Sequence, residues 1–432
     1  MATPKSKDTV IANVAQQISG VLLLLTIPNL LSVEHYAEVV FIGVVLSFTR
    51  FSDLGLSSVY GRDAPRHYSA NNAGKIQHWN RTLFWLGILG GCIAGGIAAV
   101  VMYVRFGELL DATLVALLPV MIAVTSTHVT MAGARSDFRS FRNNQVSLSL
   151  SRLISIPLAH LLGLFGWLTA QVVSYGFVAA RLGASWVPRP PEIDWTLVRR
   201  HLPAALQLAL ISLLWAQLLD SGRLMATLFY PPEGIAQYGI LTTAYQSAFG
   251  LIISAFLPVS VKTLGLLGES DRSAADYMFS IVFRTLPFVF ILAIIGAEMA
   301  PWVIDLVFPK YRIDPMMPRI ILYGLTVLPF IATIGNLYIG KHRNYSYLAI
   351  LCVSMAVTVG IEHLLRPEIG IKAAAVAQTC GTFLLALLML VVGCFLFADV
   401  MKANRRKILS SVAMLSGMWT VYLSLKFIPG WV

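Results

Sequence analysis

Two arginine–aspartate pairs lie inside long apolar stretches of the sequence, where a charge is costly. Arg50 and Asp53 are three residues apart in LSFTRFSDLGL, and Asp220 and Arg223 are three apart in LLDSGRLMA. Residues three apart are neighbours on one face of a helix, and a charge at the centre of a membrane helix costs about 2.5–3.5 kcal/mol. Such residues face an interior. They either fasten helices as structural ion pairs or give a cationic lining to a site for an anionic substrate.

Further basic and polar residues occupy apolar segments. Arg152 and Arg284 lie a short way inside predicted helices, where each either extends to the cytoplasmic interface or joins a basic ring at a cytoplasmic mouth. Such a ring would concentrate a phosphate or diphosphate head group, and its other members would be Arg62, Arg81, Arg135, Lys262 and Lys341. Several polar side chains either bond neighbouring helices or hydrogen-bond sugar hydroxyls across a cavity: Asn13, Gln16, Gln17, Tyr245, Gln246, Asn336 and Gln378.

The sequence offers little for covalent or metal chemistry. It contains no GxSxG, no P-loop, no HExxH and no CxxC, so nucleophilic, nucleotide-powered and zinc-dependent reactions lack their usual motifs. The cysteines all stand in apolar runs, where they serve as small packing residues: Cys92, Cys352, Cys380 and Cys394. We therefore expect no catalytic residues, no bound metal and no cofactor, and any transport is not powered by ATP bound to this chain.

The composition of the chain indicates that lipid, and not water, surrounds most of it. Of 432 residues, 57% are hydrophobic and 12% are charged, about half the charged fraction of a soluble protein. This excludes a soluble enzyme, a secreted disulfide module and a disordered chain, and it predicts an all-α polytopic membrane protein. The net charge of +11 comes from short basic clusters between apolar runs. That pattern is typical of cytoplasmic loops and not of a nucleic-acid-binding surface.

Thirteen segments have the length and hydropathy of membrane-spanning helices, which need about 20 mostly apolar residues. The fifth and sixth are separated only by a turn around Gly163 and Gly166. The predicted spans are 10–31, 37–60, 82–104, 112–132, 146–163, 166–185, 204–229, 236–262, 279–300, 318–339, 346–365, 370–397 and 408–428.

A polar segment, 181–203, holds four prolines and divides the spans into two sets of six. We predict an N-terminal six-helix bundle at 1–180, a cytoplasmic linker at 181–203 and a C-terminal bundle at 204–397. A basic loop and an additional helix follow at 398–432. Six spans in each half would make the halves parallel repeats about an axis along the membrane normal.

Most of the 32 Lys and Arg residues fall on the cytoplasmic side if the N-terminus is inside, as the positive-inside rule requires. We therefore predict a multi-pass protein of the bacterial cytoplasmic (inner) membrane with a cytoplasmic N-terminus. In this orientation several acidic residues are external: Glu34, Glu38, Glu108, Asp111 and Glu233.

The third span carries Gly87, Gly91 and Gly95 at four-residue spacing. Small residues at this spacing let helix backbones approach closely. The spacing predicts tight packing within the chain, and dimerisation through the same face is the alternative.

Five segments together resemble the oligosaccharide flippases of polysaccharide biosynthesis, in the multidrug/oligosaccharidyl-lipid/polysaccharide exporter superfamily. The segment at 53–67 is similar to the Asp-Leu-Gly-Leu…Arg segment that closes the second helix in that family. The segment at 220–240 is similar to its Asp-Arg…Gly-x-Tyr segment, here opened to Asp220-Ser-Gly-Arg223. The others are APWVIDLVFPKY, IGKHRNYSYLAIL and RPEIGIKAAAVAQTCG, the last with Lys372 and Ala373 in place of Gly-Ala.

The resemblance implies two six-helix bundles around a central cavity that opens alternately to each side. It implies that the chain flips a polyprenyl-diphosphate-linked oligosaccharide to the outer leaflet during O-antigen or exopolysaccharide biosynthesis. Its partners would be this lipid-linked substrate, membrane lipids and other membrane proteins of polysaccharide assembly, with no nucleic acid. The family has twelve or fourteen spans, so the thirteenth here is either a true span or an interfacial helix.

Three other functions compete with this one. A multidrug exporter of the same superfamily carries cations and needs carboxylates in its cavity. The sequence shows only Asp53 and Asp220 there, each beside an arginine. A membrane-embedded polysaccharide polymerase or ligase needs a sizeable external loop, which the predicted loops do not provide. An assembly scaffold gives no reason for charges inside the membrane.

Overall fold

A computed structural model describes residues 4–69, 73–135, 137–182, 191–267 and 270–426, and these ranges contain helices and no β-strand. The predicted all-α fold is confirmed. The helices in chain order are α1 Pro4–Leu30, α2 Val33–Ser47, α3 Leu56–Ser69, α4 Ala73–Phe106, α5 Leu109–Ala134, α6 Phe138–Ser151, α7 Ser155–Leu182, α8 Trp195–Leu219, α9 Ser221–Phe229, α10 Pro232–Leu267, α11 Asp271–Val307, α12 Met316–Tyr323, α13 Leu328–Gly340, α14 Asn344–Ile369, α15 Lys372–Leu396, α16 Ala398–Ala403 and α17 Arg405–Lys426.

Within the described ranges, nine helical segments are long and apolar enough to cross a membrane. They confirm a multi-pass membrane protein. Thirteen spans were predicted, and four differences separate them from the nine. The eighth and the thirteenth lie in α10 and α17, which are helical but are not among the nine segments. The fifth and sixth predicted spans merge into one helical segment at Phe138–Arg181, and the second is interrupted in its middle.

The interruption of the second predicted span lies between α2 and α3. A 3-10 turn occupies Phe48–Phe51, and a second turn follows before α3 begins at Leu56. Leu54 and Gly55 have φ angles of 53° and 78°, a left-handed backbone that ends a helix. Gly55 is required at its position, since a Cβ there would lie 2.3 Å from the carbonyl oxygen of Ala205.

The turn predicted at Gly163 is present inside α7. Gly163 has φ 61° and ψ −137°, a conformation open to glycine alone. A Cβ on Gly166 would lie 1.9 Å from the carbonyl oxygen of Leu158, so the two arms of α7 approach closely. The fifth predicted span begins at residue 146, but α6 already begins at Phe138. Asp137 is the N-cap of α6, and its side chain accepts a hydrogen bond from the Ser140 amide.

The last part of the predicted linker at 181–203 is helical. Residues 183–190 lie outside the described ranges, but α8 begins at Trp195. Asp194 accepts hydrogen bonds from the amides of Thr196 and Leu197 at 3.0 Å. A side chain that caps a helix in this way defines its first turn, and the basic residues after it were mistaken for loop.

The glycines of the third predicted span pack against their own chain. A Cβ on Gly95 would lie 2.1 Å from the carbonyl oxygen of Ala116 in α5, and one on Gly90 would lie 1.7 Å from that of Ser52. These contacts confirm tight packing within the chain as the use of this stripe.

The chain forms two compact units. The first comprises residues 1–213 and 230–240, and the second comprises 214–229 and 241–432. The first has two apolar cores, one between α3, α4 and the start of α8, the other between α2, α4, α5 and α7. The predicted division into two six-helix bundles and a linker stays a prediction.

The C-terminal helix α17 belongs to the second unit and lies alongside α11. Lys407 pairs with Asp276 near the start of α11, while the Tyr422 hydroxyl bonds Glu298 near its end. Trp419 packs edge-on against Phe290 at 5.5 Å between ring centroids. Helix α17 thus lies beside a candidate span but is not itself among the nine candidate segments, so the thirteenth span stays a prediction.

Candidate functional site

The most polar part of the second unit surrounds a break between α8 and α9 at Asp220. The side chain of Gln378 from α15 bridges this break. Its Nε2 donates to the carbonyl of Leu219 at 2.6 Å, and its Oε1 accepts from the amide of Gly222 at 3.2 Å. A broken membrane helix must have its freed backbone groups satisfied by neighbours, so Gln378 holds the break in place.

Asp220 and Arg223 form an ion pair at this break, between Asp220 Oδ2 and Arg223 Nη2. The Asp220 side chain is 9% exposed and that of Arg223 is 16% exposed. Thr242 and Gln246 of α10 lie beside the carboxylate, and Gln378 and Thr382 of α15 lie beside the Tyr245 hydroxyl. The structure therefore brings five predicted site residues into one cluster: Asp220, Arg223, Tyr245, Gln246 and Gln378.

This cluster keeps unused hydrogen-bonding capacity. Arg223 Nε is buried and makes no hydrogen bond with the described residues, while Asp220 Oδ1 and the hydroxyls of Thr242 and Tyr245 have only looser polar contacts within the cluster. Most buried polar groups in native proteins are hydrogen-bonded, and each of these atoms can take a further partner. The ion pair uses only part of the five-donor guanidinium fork of Arg223.

Aromatic rings adjoin the polar cluster. Tyr245 stacks on Phe249 with 6.3 Å between ring centroids and 19° between planes, and Trp215 lies 6.5 Å from Phe249. Tyr245 is buried, while Trp215 and Phe249 are half-buried. Exposed aromatic faces next to hydrogen-bonding groups are typical of ligand sites.

In the first unit, Arg152 lies in a 3-10 turn between α6 and α7. Its Nε donates to Gln171 Oε1 at 3.1 Å, and no carboxylate of the described residues pairs with it. Helix α1 packs on this turn and along α6, and it carries Asn13 and Gln17 one turn apart, both half-buried. Arg152 is therefore held by an amide and not by an acidic partner among the described residues.

A continuous helix through Arg50 and Asp53 is absent, because the helix is broken at 48–55, and the predicted pairing of the two side chains stays a prediction. Asp53 instead starts α3. Its Oδ1 accepts from the Gly55 amide at 2.9 Å and its Oδ2 from the Ser57 amide at 3.0 Å. Satisfying the free amides of a helix start is the usual role of an aspartate at this position. The Arg50 side chain lies outside the described part of the chain.

A pair of substitutions tests the capping role of Asp53. We expect Asp53→Ala to lower the free energy of unfolding by about 0.5–2 kcal/mol, whereas Asp53→Asn should lose about half of that, because its single amide oxygen can accept from only one of the two amides that Asp53 holds. Thermal unfolding of the purified variants measures this. An equal loss in both variants would instead show that the negative charge is what matters.

Other predicted site residues have local partners. Asn336 donates to the carbonyl of Ala332 in its own helix at 3.0 Å, and Arg284 is exposed on α11, in a pocket shared with the start of α17. Two members of the predicted basic ring form ion pairs, Arg81 with Glu192 at 2.8 Å and Lys341 with Asp271 at 2.5 Å. That these residues line a substrate cavity stays a prediction.

No protein-family model matches the chain, and no curated protein matches its sequence. Solved structures do match over nearly the whole chain. An inward-facing multidrug resistance MATE family transporter of the MOP superfamily superposes with a TM-score of 0.63 at 15% identity, covering 93% of this chain and 96% of its own. A mutant of a Vibrio cholerae MATE transporter gives 0.61 at 14% identity, with the same coverage.

The lipid II flippase MurJ in an inward closed conformation gives a TM-score of 0.59 at 15% identity, covering 97% of this chain and 92% of its own. The chain has the fold of these membrane proteins. All three neighbours are transporters or a flippase and none is an enzyme. At this identity the likeness concerns the fold, and the substrate must be argued from the site.

Sequence reasoning missed several buried carboxylates. Glu38 and Asp111 were placed on the external side of the membrane, which stays a prediction. Asp111 is 8% exposed, and Glu38 is half-buried with one carboxylate oxygen that has no hydrogen-bond partner in the described residues. Glu38 lies beside Asp111, which in turn lies beside Glu108 and His35. Glu362 in α14 is fully buried. Buried carboxylates are therefore not confined to Asp53 and Asp220, and which of them line a cavity stays a prediction.

Proposed function

We propose that the protein flips a polyprenyl-diphosphate-linked oligosaccharide from the cytoplasmic to the outer leaflet by alternating access. The observation that carries the proposal is the buried cluster of the second unit. There Arg223 is held by Asp220 beside polar atoms that have no partner among the described residues. The fold shared with MATE transporters and with a lipid II flippase supports a transport function.

The cluster suits both parts of such a head group. Arginine binds phosphate oxygens through paired N–H donors, and the Arg223 Nε is unused by the described residues. The Tyr245 hydroxyl, the Gln246 amide and the nearby rings of Trp215 and Phe249 match the hydroxyls and apolar faces of sugars.

Energetics favours a site of this kind. Moving an anion out of water costs several kcal/mol unless it is paired and hydrogen-bonded. A diphosphate therefore needs fixed cations and donors inside the protein, while its lipid tail stays in the bilayer. Sugar hydroxyls that leave water need hydrogen-bond donors and acceptors in the protein. The polar atoms of the cluster that lack a hydrogen-bond partner among the described residues would supply them.

Loss of the gene in its bacterial host tests the proposal. We expect the surface glycan to disappear and the lipid-linked precursor to accumulate in the inner leaflet, with recovery when the wild-type gene is returned. Precursor amounts are read by mass spectrometry of extracted lipids, and their sidedness by an impermeant glycan-oxidising reagent. A normal surface glycan together with a gain in sensitivity to organic cations would contradict the proposal.

The second candidate function is export of organic cations. It is favoured by the buried carboxylates Glu38 and Asp111, which have no arginine or lysine partner among the described residues, and by the MATE transporters among the structural neighbours. Cationic substrates need such carboxylates. The Asp220–Arg223 pair disfavours the export of organic cations, because the positive charge of Arg223 would repel a cation at this cluster.

A further inference from the structure

A polar pocket of about 630 Å³ lies in the second unit, between the first three turns of α11 and the junction of α16 with α17. One face of α11 supplies Arg272, Asp276, Ser280 and Arg284 at intervals of four residues, and Asn404 closes the pocket from the other side. Residues four apart share a face of a helix, so these side chains form one polar stripe.

The charges of this pocket do not balance. Lys407 pairs with Asp276 and also donates to Ser280 Oγ at 2.7 Å, so the one acidic group is neutralised. Arg272 and Arg284 are exposed and form no ion pair with any described residue. The pocket therefore presents two uncompensated guanidinium groups beside a serine hydroxyl.

The pocket opens next to apolar surface. Phe288, one turn beyond Arg284 on the same face of α11, is 71% exposed, and Phe283 is 43% exposed. On a helix that is a candidate membrane span, exposed phenylalanines of this kind face lipid tails. Arg284 thus lies where a polar pocket meets the hydrocarbon region, at the end of α11 that the charge distribution places on the cytoplasmic side.

We propose that this pocket binds the phosphodiester head group of an anionic phospholipid of the inner leaflet, with its acyl chains against Phe283 and Phe288. Arg284 would bind the phosphate oxygens as a charge-assisted donor, and Arg272, about 18 Å away on the same helix face, would add to the positive potential of the pocket. Basic pockets between membrane helices on the cytoplasmic side are suited to such head groups. The site is separate from the Asp220 cluster and gives Arg284 a different ligand from the one predicted from the sequence.

Bound lipid would also hold α17 against α11. Lys407 contacts two lining residues of the pocket, Asp276 and Ser280, and so attaches the start of α17 to α11. The phosphate would neutralise the arginines that otherwise repel Lys407 there. Removal of anionic lipid should therefore loosen this end of α17.

Native mass spectrometry of the purified full-length protein tests the proposal with phosphatidylglycerol, phosphatidylcholine and inorganic phosphate. We expect phosphatidylglycerol to be retained in preference to phosphatidylcholine. Each substitution, Arg272→Gln or Arg284→Gln, should reduce its retention about fivefold. Arg284→Lys should retain most of the binding, because it keeps the charge.

The matched control is Arg343→Gln, which removes the same charge from an exposed residue outside the pocket and should leave retention unchanged. Equal retention of the two lipids, or equal losses in the control and pocket variants, would overturn the proposal. So would displacement of phosphatidylglycerol by millimolar inorganic phosphate, since the site would then recognise the free anion. Each variant must first give the wild-type elution profile, and Arg284→Lys keeps the test decisive if a glutamine variant fails to fold.

Discussion

Arg223→Ala is expected to abolish transport and to lower the free energy of unfolding by about 3–5 kcal/mol, because it leaves Asp220 buried without its partner. The carboxylate lies in the break between α8 and α9, and its second oxygen already lacks a hydrogen bond with the described residues. Thermal unfolding and a flipping assay on the same preparation measure the two effects. The single variant alone does not separate binding from structure.

The double variant Asp220→Asn with Arg223→Gln separates them. It removes both charges at similar volume, so stability should return to within about 1–2 kcal/mol of wild type. Transport should stay about 10- to 100-fold lower, since a hydrogen bond to a charged group is worth about 1.5–3 kcal/mol. Recovery of wild-type transport in this variant would show that the pair only fastens helices.

The matched control for this experiment is Lys372→Gln. Lys372 pairs with Asp314 at 2.6 Å in the same unit, but both side chains are substantially exposed. An exposed pair contributes at most about 1 kcal/mol, so neither stability nor transport should change much. A large loss of transport in this control would mean that the assay responds to any removed charge.

A membrane potential is expected to drive flipping in one direction. Each elementary charge moved across the membrane is worth about 2.3 kcal/mol per 100 mV. A diphosphate with roughly two negative charges gains about 4–5 kcal/mol per 100 mV on leaving a negative interior, provided that no cation travels with it. In proteoliposomes with a potassium diffusion potential, flipping of a fluorescent polyprenyl-diphosphate oligosaccharide should be faster toward the positive side.

Reversing the sign of the potassium gradient is the control, and it should reverse the preferred direction. Imposed proton and sodium gradients are measured in parallel, because a co-transported cation would cancel the charge. Flipping that ignores the potential and both ion gradients would contradict a driven mechanism and leave passive facilitation.

Much of the fold could be predicted from the sequence because the bilayer imposes a simple requirement. A helix that crosses it must be apolar over its length, and segments such as 112–132 and 370–397 show this directly. The breaks at 48–55 and at Asp220 were not predicted, because hydropathy continues smoothly across them. The sequence signals of these two breaks are local. Asp53-Leu-Gly55 marks the point where one helix ends and the next begins, and Asp220 precedes a serine and a glycine.

The Asp220 cluster was predictable for a related reason. A charged or amide side chain in an apolar run is conspicuous, so Arg223, Tyr245 and Gln378 could be picked out before their contacts were known. Glu38, Asp111 and Glu362 could not, because each lies near the end of an apolar run, where an exposed loop is the ordinary interpretation. Their burial depends on helices distant in sequence, and one chain gives no direct signal of such packing.

The central claim is that the protein recognises a diphosphate-linked glycan lipid. The most direct measurement compares this lipid with an uncharged glycolipid of the same glycan and tail in proteoliposomes, for wild type and for the Asp220→Asn, Arg223→Gln variant. Wild type should flip the diphosphate lipid at least about tenfold faster than the neutral one, and the variant should lose that preference. Equal rates for the two lipids in wild type, or a preference that survives in the variant, would contradict the account.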